Sequence, residues 1–412
     1  MSSVAARFLL ITAIVMTGCS EPGTSPTVNR SPPLGPSRSV SSFVVTPASV
    51  DWHQRARDLV GANNLTPLAA GRILAALSVA EYRAVMALDD VDENGTIPAE
   101  GLGAGGRSAL EAHRGAVAGA SAQVLSFFFP NSATSFQDLV RAEANAGPGN
   151  VHPEFSRGLG IGRDIGDAVV TRAKNDHFTV PFTGTIPTGA GLWIPNGPPA
   201  GATVSGMTSY FLTSPDQFRP PPPPAFGSPD YLTGLHEIRS ISDTRTADQR
   251  AIALQWNYGT GSFTAPGYWD MVAANYIATY GLDERGAAHA FAMTTTAIMD
   301  SFIGCFDAKY HYWFIRPPQA DPMITTVFPT PNHPSYPSGH SCASAAAGAV
   351  LSYLFPDRAD DVQGWVEQAG LSRMYAGIHY RFDIEAGQTL GKNVGNLVIN
   401  ADRSASLLAA LR

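Results

Sequence analysis

An all-α protein is what this sequence predicts, on three observations. Apolar residues recur at helical spacing from Trp52 through Leu59, Leu65, Leu74, Leu77, Val79 and Val85, laying one broad apolar face along the helices there. No segment shows the strict apolar and polar alternation of a half-buried strand. The 40 glycines and 32 prolines, beside only 15% charged residues, point to long ordered loops between helices and to a surface of the secreted kind. At 412 residues and 44% hydrophobic content the chain is long enough for one large helical domain or two small ones.

The chain opens with an address. Arg7 precedes the apolar run Phe8 to Met16, which leads into Thr17-Gly18-Cys19-Ser20 and is too short to cross a bilayer as a mature helix. The Gly18-Cys19 junction resembles a bacterial lipoprotein signal, with Met16 where leucine is usual; plain secretory cleavage is the alternative. The resemblance implies that residues 1–18 are removed, that Cys19 is acylated, and that the protein is exported and held at a membrane. By the same resemblance, Ser20 in place of Asp implies sorting to the outer membrane of a double-membraned bacterium. Residues 19–49, rich in Ser, Pro, Thr and Gly, read as a flexible tether, and the folded domain is expected over 50–412.

Beyond the first helices, more are expected near 106–127, 134–146 and 157–176. Between 178 and 230 glycine and proline recur throughout, and Pro220 to Pro224 must be extended polyproline. A loop this long is usually functional or disordered. Its aromatics, Trp193, Tyr210, Phe211, Phe218 and Phe226, suggest an ordered insertion that either walls an active-site channel or wraps the fold. Helices resume near 229–240, 246–258, 268–280 and 284–310. No internal repeat and no glycine-rich nucleotide loop is found.

Charge excludes one class of partner. The 27 Lys plus Arg against 34 Asp plus Glu give a formal charge of −7, with no basic tract suited to a nucleic-acid backbone. Cys305 and Cys342, the other two cysteines, could form one disulfide in an exported chain; both are expected as buried free thiols.

Three segments carry the chemistry: Lys309 with Arg316-Pro317, then Pro337-Ser338-Gly339-His340, then Ser372-Arg373 followed by His379 and Asp383. Lys309, Arg316 and Arg373 are the fixed cations that an oxyanion with several charged oxygens requires, Arg gripping two oxygens and Lys acting as a point charge. The small-residue helix after Pro337 would turn unpaired N–H groups toward an anion beside Ser338 and Gly339. His379 and Asp383, four apart on an expected helix, would share a face, so that the carboxylate takes one imidazole N–H and leaves the other nitrogen free. A zinc site built from His333, His340, His379 and Asp383 is opposed by the three nearby cations.

Together these segments resemble the signature of the superfamily of type 2 phosphatidic acid phosphatases and vanadium haloperoxidases, met at every position over residues 309–383. The resemblance implies a helical bundle with the third-motif helix and the helix after His340 facing each other across the anion. It further implies vanadate as cofactor, or phosphate as part of a substrate. His379 would be the covalent attachment point, bonded to vanadium in the first case, and His340 the acid-base. The stretch from Ala376 to Asp383 looks like the haloperoxidase version of the third motif, and His333 matches a second pocket histidine of bromoperoxidase-type members. Phe306 departs from the tryptophan of characterised haloperoxidases. The expected activity is peroxide-driven oxidation of bromide or iodide, with hydrogen peroxide and halide as partners. The alternatives are hydrolysis of a phosphate ester through a phosphohistidine, or oxyanion binding without catalysis.

Overall fold

The structure, a computed structural model, describes residues 46–93, 104–145 and 153–412. The expectations for residues 1–45, including Cys19, the signal and most of the tether, lie outside the described residues. Fourteen α-helices and no strand make up the described fold, in line with the all-α expectation. They are α1 Ala48–Ala62, α2 Pro67–Glu93, α3 Ala104–Phe128, α4 Ala133–Ala144, α5 Pro153–Lys174, α6 Pro229–Thr244 and α7 Ala247–Gln255. There follow α8 Thr264–Tyr280, α9 Glu284–Tyr312, α10 Pro317–Ala320, α11 Gly339–Leu354, α12 Ala359–Tyr375, α13 Arg381–Arg403 and α14 Leu407–Ala410.

The helix boundaries follow from local chemistry. Ser228 caps α6 by accepting from Tyr231 N–H, with Pro229 at the first helical position where a missing N–H costs nothing. Thr246 and Gln249 close a capping box at α7, and Asp283 caps α9 through Gly286 N–H. Gly281 ends α8 with φ of 63°, the left-handed position that favours glycine.

The 29-residue α9 is the axle of the fold. It is buried on every side from Ala290 through Phe306, as a helix at the centre of a large bundle must be. Helices α2, α8, α11 and α13 pack around it. Close approach matters most where α13 meets α11. A Cβ on Gly391 would overlap the carbonyl oxygen of Cys342, and one on Gly387 would lie 2.7 Å from the Ser338 carbonyl oxygen. Glycine at these positions lets the two backbones touch, which brings the start of α11 beside the start of α13.

At the other end of the bundle, α1, α2 and α8 are joined by a buried charged network. His53 stacks on Phe291 with ring centroids 3.7 Å apart, and its ring nitrogens face Asp270 at 2.5 Å and Glu81 at 3.2 Å. Arg57 also pairs with Asp270. Burial alone would lower the His53 pKa, but the two carboxylates outweigh it and push it up to about 9.

Candidate oxyanion site

The expected site residues converge at one end of α9. Lys309 lies in its last turn, fully buried, and its Nζ donates to the carbonyls of Pro334 and Ser335, each at 2.8 Å. Trp313, left-handed at φ 49°, then terminates the helix. Its carbonyl accepts from Trp193 N–H at 2.7 Å, fixing the turn that carries the chain back to Arg316. Nε of Arg316 donates to the His333 carbonyl at 3.0 Å and Nη1 to the Ile378 carbonyl at 2.9 Å. Nη1 also donates to His379 Nε2 at 2.9 Å, and Nη2 to His333 Nδ1 at 3.0 Å.

The second motif opens α11. Ser338 is its N-cap, and its Oγ accepts from Ser341 N–H, so the hydroxyl holds the helix start. Its own N–H donates to the Asp383 carbonyl at 2.9 Å. Gly339 and His340 are the first helical residues, whose amides have no intrahelical acceptor. A Cβ on Gly339 would meet no atom within 4 Å, so that backbone faces open space. Nε2 of His340 lies 3.1 Å from the Trp256 carbonyl. A carbonyl only accepts, so Nε2 carries the proton and Nδ1 keeps the lone pair.

The third motif departs from the expectation. His379 and Asp383 do not share a helix: Arg373 sits in the last turn of α12, and α13 begins only at Arg381. Between them the chain makes a Schellman turn, with Gly377 N–H on the Met374 carbonyl at 2.8 Å and Ile378 N–H on the Arg373 carbonyl at 3.2 Å. Gly377 has φ of 79°, and a Cβ there would lie 2.8 Å from the Thr325 carbonyl oxygen. His379 therefore precedes the N-cap Tyr380, and Asp383 is the third residue of the helix. Its Oδ2 reaches back to Tyr380 N–H at 3.2 Å and accepts His379 Nδ1–H at 2.8 Å. The spacing from Arg373 to Asp383 is thus the length of one helix end, one turn and one helix start.

A second correction concerns the bundle. Helices α11 and α13 pack directly through the glycines of α13, and the site residues gather at their N-terminal ends, not between them.

Charge decides what this pocket holds. Lys309 and Arg316 are fully buried and Arg373 is 2% exposed, and the charge of the Asp383 carboxylate acts on the first two. Burial pulls all three cations' pKa down, that of Lys309 to about 8. His379 is held well below the ordinary imidazole range by burial and then by Arg316, Lys309, His333 and Arg373. His340 is lowered likewise, by burial and Arg373, and His333 by burial, Lys309 and Arg316. Burial raises Asp383 to about 6, against hydrogen bonding from Ser335 and the charge of Lys309 and Arg316. Neutral histidines among buried cations leave the pocket short of negative charge, which an oxyanion would supply. Among the described residues no group of three or more His, Cys, Asp or Glu is placed to hold a metal ion.

Several contacts were not legible beforehand. Ser335 Oγ donates to Asp383 Oδ2 at 2.6 Å, and the signal for it was its place in the loop between His333 and Ser338. The Trp256 carbonyl on His340 uses main chain, which no side-chain pattern reports. The insertion is ordered and docks here: Tyr310 OH donates to the Ala200 carbonyl and Tyr336 OH to the Pro221 carbonyl, both at 2.6 Å. Gly201 lies against Phe306, whose ring meets His333 edge-on at 5.2 Å. Cys305 and Cys342 are buried and free.

A helical bundle with a buried, cation-lined pocket opening on a helix N-terminus defines a class of oxyanion-binding protein. The profile described as PAP2 superfamily matches residues 285–404, the part of the chain that carries all three motifs. A non-specific acid phosphatase of Salmonella typhi is 41% identical over 59 residues, and one of Salmonella typhimurium 39% over the same length. These matches span 14% of this chain and 23% of those relatives. The crystal structure of a bacterial vanadium-dependent iodoperoxidase superposes with a TM-score of 0.70 at 25% identity, covering 86% of this chain and 96% of that one. A holo-type bacterial vanadium-dependent chloroperoxidase superposes with a TM-score of 0.65 at 16% identity, over 83% and 94%, and shows the shared fold.

Proposed function

We propose that this chain is a vanadium-dependent haloperoxidase-like enzyme that holds vanadate at His379 and oxidises bromide or iodide with hydrogen peroxide. The observation that carries the reading is the cluster of Lys309, Arg316 and Arg373, buried around His379, whose Nδ1–H Asp383 accepts. Support for vanadate over phosphate comes from the likeness to the iodoperoxidase, which runs through most of both chains. Bound vanadate would supply an electrophilic centre at which peroxide becomes an oxidant of halide.

The chain's own residues have separate tasks. Asp383 fixes the His379 tautomer with the proton on Nδ1, which leaves the Nε2 lone pair to bond the central atom. The three cations and the amides of Gly339 and His340 would hold the oxyanion and offset the charge on its oxygens. His340 Nδ1, neutral in the free protein, takes a proton from an incoming acid and returns it to a leaving oxygen. Phe306, packed between Gly201 of the insertion and His333, would help shield the site from water.

A second reading, an acid phosphatase using His379 as nucleophile and His340 as leaving-group acid, is supported by the local match to the Salmonella enzymes. One pair of assays separates them. The proposal expects peroxide-dependent oxidation of iodide or bromide after vanadate loading; hydrolysis of an aryl phosphate that vanadate inhibits, with no halide oxidation, overturns it in favour of the phosphatase. Vanadate binding with neither activity would leave an oxyanion-binding protein. The lipoprotein-like Gly18-Cys19 junction supports a reading in which Cys19 anchors the domain on the periplasmic side of the outer membrane, tested by fatty-acid labelling of wild type against Cys19→Ala.

A further inference from the structure

We propose that Gln368 is a positioning residue for His340 and acts through Trp256; the inference rests on the reading that His340 exchanges protons with the bound oxyanion's reactants. Trp256 follows the last residue of α7, so its carbonyl is among those a helix end leaves without an intrahelical partner, and it takes the His340 Nε2–H at 3.1 Å. The indole of the same residue is 1% exposed, packed against Tyr268 with ring centroids 4.7 Å apart and against Trp269 at 6.2 Å. Its Nε1–H donates to Gln368 Oε1 at 2.9 Å, on α12. Five residues further along α12, Arg373 Nη2 donates to the Ala253 carbonyl at 3.3 Å. Helix α12 therefore grips the last turn of α7 at two points, one of which is the indole whose backbone sets His340.

The frame closes on α11 itself. Trp269 Nε1–H donates to Ser344 Oγ at 3.0 Å, one turn after His340. The acid-base histidine and the carbonyl that orients it are thus tied into one frame of four helices, α7, α8, α11 and α12.

Without Gln368 the buried indole N–H loses its acceptor and the hold of α12 on it, and the ring, packed between Tyr268 and Trp269, has little room to turn by itself. Relief then comes from a shift of Trp256 as a whole, which carries its carbonyl away from His340. The Nε2–H tautomer of His340 then loses its fixed acceptor, and Nδ1 is no longer reserved for proton uptake. The carbonyl serves here the orienting purpose that a carboxylate serves for His379.

The test compares Gln368→Met, which removes the acceptor, with Gln368→Glu, which keeps one. Histidine ¹⁵N spectra of the free protein should show His340 as the Nε2–H tautomer in wild type and Gln368→Glu, and as a mixture in Gln368→Met. In the vanadate-loaded enzyme, kcat of Gln368→Met should fall about 10-fold or more, with vanadate Kd unchanged within about twofold. In a Trp256→Phe background no N–H needs an acceptor, so adding Gln368→Met should leave the His340 spectrum as it is in Trp256→Phe alone. An unchanged His340 tautomer in Gln368→Met overturns the proposal, whatever the activity. If wild type turns over neither halide nor phosphate ester while the tautomer still shifts in Gln368→Met, the functional reading fails and the positioning of His340 stands.

Discussion

Nη1 of Arg316 lies 2.9 Å from Nε2 of His379, on the lone pair that an oxyanion's central atom would take. The same guanidinium also holds the carbonyls of His333 and Ile378, so in the free protein it both fixes the imidazole and occupies its reactive nitrogen. Binding must exchange that hydrogen bond for one from Arg316 to the anion. A lysine can replace the charge but not the fork. Arg316→Lys is expected to raise the vanadate Kd about 100-fold, or about 2.7 kcal/mol, by calorimetry. A change of less than threefold would mean that Arg316 does not face the anion.

The two histidines separate binding from turnover. On the proposed reading His379→Ala removes the atom that would bond the anion, so vanadate retention on gel filtration should be lost. His340→Ala keeps His379, Asp383 and the cations, and should retain vanadate while kcat falls by about 10² to 10⁴, the usual worth of a general acid-base group. Full rate in His340→Ala would move the proton-transfer role to another group.

Ser335→Ala tests how Asp383 is kept ionised. Burial raises Asp383 to about 6, and the Ser335 hydroxyl at 2.6 Å opposes that rise. With Asp383 ionised above about 6 and Lys309 protonated below about 8, vanadate affinity should peak between those values. Loss of the hydroxyl should move the acid limb up by roughly one unit and leave the alkaline limb in place. Comparing variant with wild type cancels the titration of vanadate itself. An unmoved acid limb would show that Asp383 does not govern it.

Some of this was legible in the sequence and some was not, for physical reasons. The cations and histidines could be read because an oxyanion pocket needs those side chains, and the chain supplies each from a short segment. Asp383 was found but misplaced: four-residue spacing suits a helix face, yet Gly377 inserts a left-handed turn and makes the same spacing a helix start. The Trp256 carbonyl, 84 residues from His340, leaves no mark in side-chain pattern. The His53 network was missed because its members, Glu81 and Asp270 among them, are spread over separate helices that only tertiary packing joins.

Gly391→Ala probes the approach of α13 to α11. Its Cβ would strike the Cys342 carbonyl, a backbone atom that cannot swing away. The helices must then separate, and stability should fall by about 3 kcal/mol in urea unfolding. Because α11 carries Gly339 and His340 while α13 follows His379, vanadate affinity should fall as well. A stable variant with normal affinity would show that direct contact of these helices is not what assembles the pocket.

His53 supplies a pH test far from the pocket. Its folded pKa, about 9, stands above the 6.5 of the unfolded chain, so the folded state holds the extra proton between those values. The stabilisation is fully present below about 6.5 and is lost as pH rises through about 9, amounting to about 3 kcal/mol in all. Lys309, lowered to about 8, works in the opposite sense above that pH, because there the unfolded chain binds the extra proton. The quantity to measure is therefore the difference in unfolding free energy between wild type and His53→Gln, in which Lys309 cancels. That difference should shrink by about 3 kcal/mol between pH 6.5 and 9. A difference that stays flat would mean that His53 is neutral between Asp270 and Glu81, and that one of those carboxyls carries the proton instead.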